Sequence, residues 1–390
     1  MKKPNILPFE RLLTFEESNT LKVCVLKAIE VFESWGYDYL KIPAFERYEV
    51  QEKALGERAK EAIVLKDVEG GELISLRADF TAQVVRSVSF FKVWHFPLRV
   101  YYFGTLFRTG KRTCESFHAG IELLGVGDVE GDAEVIASLS DYLRKIGLKD
   151  TVVSIGHVSI VGKILSRVEE ERRDQIREAF REKNLTLLRK TFGDGYESRL
   201  PLMQGKEEAL SLLSELDLEE ERRELEKLGE LLTQAGVDFI YDLSEVREFP
   251  YYTGVVFEFF HPSLGSPIAG GGRYNALPEL YDASFPATGG TVYLDTLLPL
   301  LEHRREEKDF FVIDLSDEKR FGFKIASTLR AKGYRVGRDI VKRSLGHSLD
   351  HAFSQGYRRA VVIRDERDVR VYTTVKDYTL HTLKEFLELF

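Results

Sequence analysis

Apolar and polar residues recur along the first third of the chain in patterns that change between helix and strand periods. Leu21, Val25 and Phe32 fall on one helix face, and the pattern predicts a helix over residues 20–35. "YDYLKIPAFE" predicts a strand interrupted by Pro43, because proline cannot donate to a sheet ladder. Further strand patterns are "EGGELISLRADF", "LRVYYFGTLFR" and "AGIELLGVG", and further helix patterns are "TAQVVRSVSFF" and "DAEVIASLSDYLRKIGL".

The middle of the chain interrupts this alternation. Residues 158–236 are mostly helical in pattern and highly charged, which predicts a helical insertion with solvated faces. Strand patterns return in "DFIYDL", "GVVFEFF" and "IAGGGRY". In "GGTVYLDTLLPLLE", Gly289 and Gly290 predict a turn that leads into a helix. Because the sheet has many hairpin-like connections, the predicted fold class is α+β.

A charged spacer, "EHRREEK" at residues 302–308, predicts a domain boundary. Strand and helix patterns alternate beyond it, so residues 308–390 are predicted to form a small α/β domain with a largely parallel sheet. The predicted organisation is a core over residues 1–303, with the insertion at about 158–236, and the C-terminal domain. A chain of 390 residues is long enough for two or three such units.

The formal net charge of −8 is unevenly distributed. Residues 308–390 hold 17 Lys/Arg and 12 Asp/Glu, a net +5, which leaves −13 for the rest of the chain. This acidic body argues against a general nucleic-acid coat. The sequence contains no run of about 18 apolar residues, so no membrane span is predicted. Cys24 and Cys114 are far apart and outside any CxxC spacing, so we expect reduced thiols and a cytoplasmic protein.

Sequence motifs for common cofactors and metals are missing. No GxGxxG follows a strand pattern, and "TGKRT" lacks the upstream glycine of a P-loop. His347 and His351 share a helix face, but no glutamate follows His347, so a zincin site is not predicted. We therefore expect neither a cofactor nor a bound metal.

Three polar residues lie where strand patterns end. Asp79 either caps a helix by accepting from free backbone amides or faces the ammonium of a ligand, with the Thr81 hydroxyl beside it. Arg108 is either a surface arginine or a guanidinium that binds a carboxylate or phosphate through two hydrogen bonds. Both interpretations of each residue remain open at this point.

Two further groups of residues are candidates for a binding pocket. Glu122 lies among apolar neighbours on a strand pattern, and a buried carboxylate requires a partner, either a basic protein group or a cationic ligand. Arg247, Tyr251 and Tyr252 precede a strongly apolar strand pattern. The glycines of "AGGGRY" allow the backbone to approach a ligand closely, so these segments together predict a pocket.

Taken together, the motifs resemble the catalytic core of histidyl-tRNA synthetase, a class II synthetase built on an antiparallel sheet flanked by helices. The resemblance covers most of residues 8–303, and the tail resembles a shortened anticodon-binding domain. "GYDYLKIPAFE" matches the first class motif, which implies a dimer interface. "LRADFT" matches a segment that holds the amino group of histidine, which implies that role for Asp79 and Thr81.

The same resemblance implies roles for the remaining candidates. "FRTG" and "FHAGIELLG" match the second motif, which implies that Arg108 faces the carboxylate and the α-phosphate and that Glu122 and His118 lie toward the imidazole. "REFPYYTG" resembles the histidine-specific loop, so that Arg247 occupies the position of its arginine. Tyr251 and Tyr252 occupy the positions of its tyrosines, with Tyr252 implied near the ammonium.

The chain departs from the synthetase pattern in the third motif. Thr296 stands in the place of an arginine that binds the far phosphates of ATP, and Asp295 in the place of a glutamate. Loss of one preorganised group of this kind typically lowers the rate by about 10²–10³. The loop "TGKRTCES" is short, His118 occupies a position usually held by glutamine, and Pro250 replaces an aspartate.

With these departures, the sequence resembles those of the regulatory subunits of ATP phosphoribosyltransferase. The segments "SIGHVSIVGKIL" and "PATGGTVYLDTLL" also resemble segments of that family. That resemblance implies a subunit without a catalytic group of its own, which pairs with a short-form catalytic subunit and makes phosphoribosyl transfer from PRPP to ATP sensitive to L-histidine. It also implies a homodimer within a hetero-oligomer. Histidine is expected either in the core pocket or at the interface with the catalytic subunit. The alternatives are a divergent active histidyl-tRNA synthetase and a tRNA-binding module, although the acidic body makes tRNA an unfavourable partner.

Overall fold

The computed structural model describes residues 11–390 except 68–69, 93–94, 111–112, 248 and 304–305. Within these residues the chain forms two compact units. The first contains Thr20–Glu302 with residues 11–13, and the second contains His303–Phe390 with Thr14–Asn19. No helix in these described ranges is long and apolar enough to cross a bilayer.

The first elements of the chain include a small three-stranded sheet. In chain order they are α1 (Phe15–Ser34), β1 (Asp38–Tyr39), β2 (Phe45–Arg47), α2 (Tyr48–Leu55), β3 (Val64–Lys66), β4 (Leu73–Leu76) and α3 (Phe80–Phe91). Strand β4 pairs antiparallel with both β2 and β3. Pro43 lies between β1 and β2, so the predicted interruption of this strand is confirmed.

The elements that follow build the main sheet and a group of helices inserted into it. They are β5 (Leu98–Phe107), β6 (Glu115–Leu124), α4 (Val129–Lys145), β7 (Val152–His157), α5 (Val158–Ser166), α6 (Glu170–Arg181), α7 (Leu185–Phe192), α8 (Tyr196–Arg199), β8 (Gln204–Gly205), α9 (Glu207–Glu215), α10 (Glu219–Gln234), β9 (Phe239–Asp242), β10 (Val255–Phe260), β11 (Ala269–Arg273), β12 (Ala287–Tyr293) and α11 (Leu294–Leu297).

The main sheet has the order β1-β5-β6-β12-β11-β10-β7-β9-β8. Neighbouring strands are antiparallel except in the pairs β1–β5 and β7–β9. Helix α4 buries Ile136, Leu139 and Tyr142 in the same core as Ile121 and Phe257 of the sheet. The predicted α+β class, with an antiparallel sheet flanked by helices and a helical insertion, is confirmed.

The predicted turn at Gly289 and Gly290 is wrong. Both glycines lie inside strand β12, opposite Glu122 and Ile121 of β6, and the helix that follows has only four residues. A Cβ on Gly289 would overlap the carboxylate of Glu122, and a Cβ on Gly290 would come within 2.7 Å of Leu139. Close packing on both faces of the strand, and not a turn, therefore explains this glycine pair.

The second unit forms a five-stranded sheet with helices. Its elements are β13 (Lys308–Asp314), α12 (Gly322–Ala331), β14 (Val336–Arg338), α13 (Leu345–Ser354), β15 (Tyr357–Ile363), β16 (Val369–Tyr372), β17 (Tyr378–His381) and α14 (Leu383–Leu389). The order is β14-β13-β15-β16-β17. β13 is parallel to β14 and β15, but the β15–β16 and β16–β17 pairs are antiparallel. The prediction of a largely parallel sheet is wrong for these two pairs, because residues 364–368 are too few for a crossover connection.

Candidate functional site

A small cavity lies over the middle of the main sheet, with a volume of about 60 Å³. It is bordered by the start of α3, by β5, β6, β11 and β12, and by residues 249–252. Six of the eight residues predicted to bind a ligand line it: Asp79, Thr81, Arg108, His118, Tyr251 and Tyr252. Of the other two, Glu122 lies behind the cavity wall, where it accepts from Thr81. Arg247 lines an adjoining cleft.

Asp79 uses its two carboxylate oxygens for different purposes. Oδ1 accepts a hydrogen bond from the backbone amide of Ala82 at 2.9 Å, so Asp79 is the N-cap of α3. Oδ2 accepts from the hydroxyl of Tyr251 at 3.3 Å and lies 3.6 Å from Nη2 of Arg108. The capping interpretation is confirmed, and the second oxygen faces Tyr251 and Arg108 on the cavity side. Burial raises the pKa of Asp79, and the charge of Arg108 offsets part of this effect.

Arg108 is not the surface arginine that one interpretation allowed. Its side chain is mostly buried, and its Nε donates to the carbonyl oxygen of Ala78 at 2.7 Å. Burial lowers the pKa of Arg108, and the nearby carboxylate of Asp79 partly offsets this. The guanidinium is therefore fixed in place at the cavity, with its charge only partly balanced.

Glu122 is 1% exposed, and its carboxylate is surrounded by hydroxyl groups. Oε1 accepts from Thr81 at 2.7 Å and from Tyr102 at 3.3 Å, and Oε2 accepts from Tyr274. The sequence left open a basic protein group or a cationic ligand as the partner. In the described part of the chain, the hydrogen-bond partners are three hydroxyls instead. Burial raises the pKa of Glu122 to about 8, although the hydroxyl donors act in the opposite direction.

Tyr102 and Tyr274 were missed as site residues by the sequence-based prediction. Both line the small cavity, and the Tyr102 hydroxyl also lies 2.6 Å from that of Thr291. Tyr274 is the last residue of "AGGGRY", a segment that the sequence did single out. Its place in that segment is the signal that could have identified it, whereas Tyr102 is one of several aromatic residues on β5.

Aromatic rings and guanidinium groups form one side of the cavity. Phe249 stacks on Tyr251 with ring centroids 5.3 Å apart, and Tyr251 lies 4.9 Å from Tyr252. Arg58 and Arg108 lie over the ring of Phe249, at 4.6 and 5.1 Å from its centroid. These cation–π contacts orient both arginines beside the tyrosines.

Arg247 is paired with two glutamates that the sequence did not indicate as partners. Its Nη1 donates to Oε1 of Glu258 at 2.6 Å, and its Nε lies 3.4 Å from Oε1 of Glu245. Burial lowers the pKa of Arg247, but Glu245 and Glu258 outweigh this effect and raise it. Burial also raises the pKa of Glu245, to about 7. The positive charge of Arg247 is thus held by protein carboxylates.

His118 lies at the junction of the small cavity and a larger opening. Its Nε2 is 2.9 Å from the hydroxyl of Ser116, and its ring centroid is 5.1 Å from that of Tyr293. His118 and Glu122 are four residues apart on strand β6. Because alternate side chains of a strand point to the same face, both lie on one face of the sheet.

The larger opening is a cleft of about 1230 Å³, here called the large cleft. Five arginines are among the residues that line it: Arg11, Arg58, Arg108, Arg181 and Arg247. Asp295 and Thr296 line it as well, and Asp295 accepts a hydrogen bond from the backbone amide of Phe117. The large cleft can hold an anionic ligand next to the small cavity, but Thr296 contributes a hydroxyl group and no charge.

In the described ranges of the chain, no three His, Cys, Asp or Glu side chains lie together in a way that could hold a metal ion.

Comparisons with known proteins place this geometry in a family. The family model described as histidyl-tRNA synthetase matches residues 11–297. The ATP phosphoribosyltransferase regulatory subunit of Aquifex aeolicus is 44% identical over 388 residues, which cover 99% of each chain. The chain belongs to the family of ATP phosphoribosyltransferase regulatory subunits. The resemblance inferred from the sequence motifs is thereby confirmed.

Two further relatives show how near this family stands to the synthetases. A histidine–tRNA ligase of Pyrococcus horikoshii is 34% identical over 391 residues, which cover 90% of this chain and 89% of the ligase. A solved structure from Bacillus halodurans, described as an ATP phosphoribosyltransferase regulatory subunit/histidyl-tRNA synthetase, has a TM-score of 0.81 and 28% identity. It covers 94% of this chain and 99% of its own. These relatives confirm the predicted synthetase-like fold.

Proposed function

We propose that this chain is a non-catalytic regulatory subunit of an ATP phosphoribosyltransferase and makes the first step of L-histidine biosynthesis sensitive to histidine. The observation that carries the proposal is the pair formed by Asp79 and Arg108, whose side chains present opposite charges to one small cavity. An amino acid carries the complementary pair of charges on its Cα substituents.

The proposed pose follows from these charges, with the ligand spanning the small cavity and the adjoining mouth of the large cleft, which share Arg108, His118 and Tyr252. The ligand ammonium lies at Oδ2 of Asp79, near the hydroxyls of Thr81 and Tyr252, and the carboxylate lies at Arg108. Burial shifts the pKa values of Asp79 and Arg108 toward their uncharged forms. A zwitterionic ligand supplies the opposite charge to each residue and so favours both charged forms. Thr81 donates to Glu122, and its oxygen can still accept from an ammonium group.

The imidazole of the ligand is proposed to point toward Glu122 and His118. Burial raises the pKa of Glu122 to about 8, so its carboxyl group carries a proton near neutral pH and places no negative charge behind this wall of the cavity. The hydroxyls of Tyr102 and Tyr274 bond to this carboxyl group and line the cavity, so they are the groups that can meet an imidazole nitrogen. A ligand that has no ring nitrogen would lack this hydrogen bond, which disfavours its binding.

The absence of a catalytic role is argued from two residues in the large cleft. Thr296 stands where the synthetase pattern has a phosphate-binding arginine, and a neutral hydroxyl stabilises a triphosphate much less than a fixed cation does. Arg247, the arginine of the histidine-specific loop, is already paired with Glu245 and Glu258. Together these features support amino-acid binding without efficient amino-acid activation.

Regulation then requires a partner. The phosphoribosyl transfer is proposed to occur on a short-form catalytic subunit, and this chain contributes no reacting group. Histidine can change the activity only if it binds one state of the assembly better than another, and a coupling of about 1–3 kcal/mol is typical of such feedback. A homodimer within a cytoplasmic hetero-oligomer is the proposed form.

Reconstitution tests this proposal. A purified short-form catalytic subunit is mixed with this chain, and the rate of phosphoribosyl transfer to ATP is measured with and without histidine. We expect the chain to stimulate the reaction and histidine to inhibit it. A rate that responds neither to the chain nor to histidine would refute the proposal.

A divergent but active histidyl-tRNA synthetase is the second candidate. It is favoured by the similarity to the Pyrococcus horikoshii ligase and by the arginines that line the large cleft. Histidine-dependent exchange between ATP and pyrophosphate separates the two candidates. Exchange at a rate typical of a synthetase would establish this alternative, whereas its absence favours the regulatory role.

A further inference from the structure

A third cavity, of about 330 Å³, lies against the first helix of the insertion and is here called the accessory cavity. Its lining comes from α5, from α6 and from Glu245, Val246, Arg247, Phe249, Pro250 and Tyr252. Its volume falls in the range of small-molecule sites, which begins at about 300 Å³. The proposed histidine pose shares Tyr252 with this cavity, and Arg247 and Tyr252 line both it and the large cleft.

One face of α5 forms the apolar wall of the accessory cavity. Val158, Val161, Gly162 and Leu165 recur at the spacing of one helix face, and all four line the cavity. Gly162 is in the interior of the helix, where glycine is less stable than alanine. A Cβ on Gly162 would meet no atom within 4 Å, so close packing does not require this glycine. A larger side chain at this position would extend into open space beside the accessory cavity, which Gly162 lines.

Positive charge is supplied from α6. Arg173 and Arg177 are one helical turn apart, and both line the accessory cavity. The Nε of Arg173 donates to the carbonyl oxygen of Val168 at 3.0 Å, which fixes its guanidinium at the end of α5. Arg177 is paired with Asp174, but these side chains are 51% and 93% exposed, so the pair screens the charge of Arg177 only weakly.

Arg247 adds a third guanidinium at the far wall, although Glu245, whose Oε1 lies 3.4 Å from its Nε, lines the same cavity and holds part of its charge. Its Nη1 is used by Glu258, but its Nη2 is buried and has no hydrogen-bond partner within the described part of the chain. A buried donor without a partner is unfavourable. An anion entering the cavity can satisfy this donor after a small movement of the side chain.

We propose that the accessory cavity is a binding site for a small organic anion. The apolar body of the ligand packs on Val158, Val161 and Leu165. Its carboxylate or phosphate group binds Arg173 and Arg177. This site adjoins the proposed histidine pocket, with which it shares Phe249 and Tyr252, and gives the chain a second ligand.

Calorimetric titration of the full chain, in the absence of histidine, tests this proposal. The probes are phenyl phosphate and phenylacetate, with benzyl alcohol as the neutral analogue. We expect saturable binding of at least one anion and none of the alcohol, and the tighter anion identifies the preferred acidic group. Failure of both anions to bind saturably, or equal binding of benzyl alcohol, would overturn the proposal. Because histidine is absent, these outcomes do not depend on the proposed regulatory function.

Variants locate the binding site. Gly162→Leu fills the cavity from a position with open space and is expected to abolish anion binding, whereas Gly162→Ala is expected to retain it. Arg173→Gln removes a charged donor and is expected to weaken binding about tenfold or more. Arg189→Gln, an exposed arginine on α7, is the matched control and is expected to bind like the wild type. Circular dichroism verifies folding, and wild-type affinity in both folded Gly162→Leu and Arg173→Gln would overturn the assignment.

Discussion

The hydroxyl of Thr81 donates to the carboxylate of Glu122 across 2.7 Å, which joins the first turn of α3 to the central strand β6. The other partners of this carboxylate in the described ranges are the hydroxyls of Tyr102 and Tyr274. A buried carboxyl group surrounded by hydroxyls, with the negative charge of Asp79 nearby, is more stable in the protonated form. Glu122 is therefore a neutral hydrogen-bonding group near pH 7.

The first prediction concerns the pH dependence of stability. The pKa of Glu122 is raised from about 4.5 to about 8 on folding, so the folded chain holds a proton in this window that the unfolded chain has released. The stability that protonated Glu122 contributes is fully present below about pH 4.5, the unfolded-state pKa, and is lost as pH rises to about 8, the folded-state pKa. Glu122→Gln has no such proton to lose. Its free energy of unfolding should therefore fall less than that of the wild type between about pH 4.5 and about pH 8.

Urea denaturation of both proteins near each end of this window measures the difference. Glu220→Gln, at a side chain that is 90% exposed, is the control and should follow the wild type. Identical pH profiles for wild type and Glu122→Gln would contradict the assignment of a raised pKa to Glu122.

The second prediction separates the two roles of Asp79. Asp79→Asn removes the charge that faces Arg108 but keeps the N-cap, whereas Asp79→Ala removes both, so Asp79→Ala should be less stable than Asp79→Asn by about 1 kcal/mol. Both changes remove the negative charge from the cavity, and histidine affinity should fall about tenfold or more, since a hydrogen bond between charged groups is lost. Calorimetry measures the affinity, and urea denaturation measures the stability. Unchanged histidine affinity in Asp79→Asn would place the ligand elsewhere.

The part of the site that could be predicted from the sequence is the part with local causes. Asp79 was identified because an N-cap is a short-range pattern next to a helix. The hydroxyl partners of Glu122 could not be identified in this way, because Thr81, Tyr102 and Tyr274 are separated from it by 41, 20 and 152 residues. Such pairs depend on strand register, which periodicity does not determine.

The errors in the fold have similar physical reasons. Gly289 and Gly290 satisfy the local pattern of a turn, but the need to fit Glu122 and Leu139 against β12 is a tertiary constraint. In the second unit, alternating strand and helix patterns favoured parallel pairing. The short connection between β15 and β16 was the signal for a hairpin, since a parallel crossover needs about a dozen residues.

The third prediction concerns the ion pair beneath the glycine-rich strand β11. Arg273 donates through Nε to Asp132 at 3.0 Å and also pairs with Glu224, while the hydroxyl of Thr288 donates to Asp132 at 2.8 Å. Arg273→Gln leaves the buried carboxylate of Asp132 without its cationic partner and should destabilise the fold by about 3–5 kcal/mol. Thr288→Val removes one hydrogen bond and should lose about 1 kcal/mol. Urea denaturation measures both, and equal losses would show that the ion pair contributes no more than the hydroxyl.

The fourth prediction tests the interpretation of Thr296. Thr296→Arg adds a cation to the large cleft and should tighten ATP binding about tenfold through a charged hydrogen bond. Thr296→Gln, which adds length without charge, should bind ATP as the wild type does. Calorimetric titration with ATP compares the three proteins. If the glutamine and arginine variants bind ATP equally, charge at this position is not what separates the chain from a synthetase.

The most direct test of the whole account is the rate of phosphoribosyl transfer in the reconstituted complex, measured against histidine concentration for the wild-type chain and for Asp79→Asn. Both chains should stimulate the catalytic subunit equally without histidine, because Asp79 contributes no reacting group. Histidine should inhibit the wild-type complex, and the Asp79→Asn complex should require about tenfold more histidine for the same inhibition. Stimulation by neither chain, or one histidine curve shared by both, would contradict a regulatory subunit that senses histidine in this cavity.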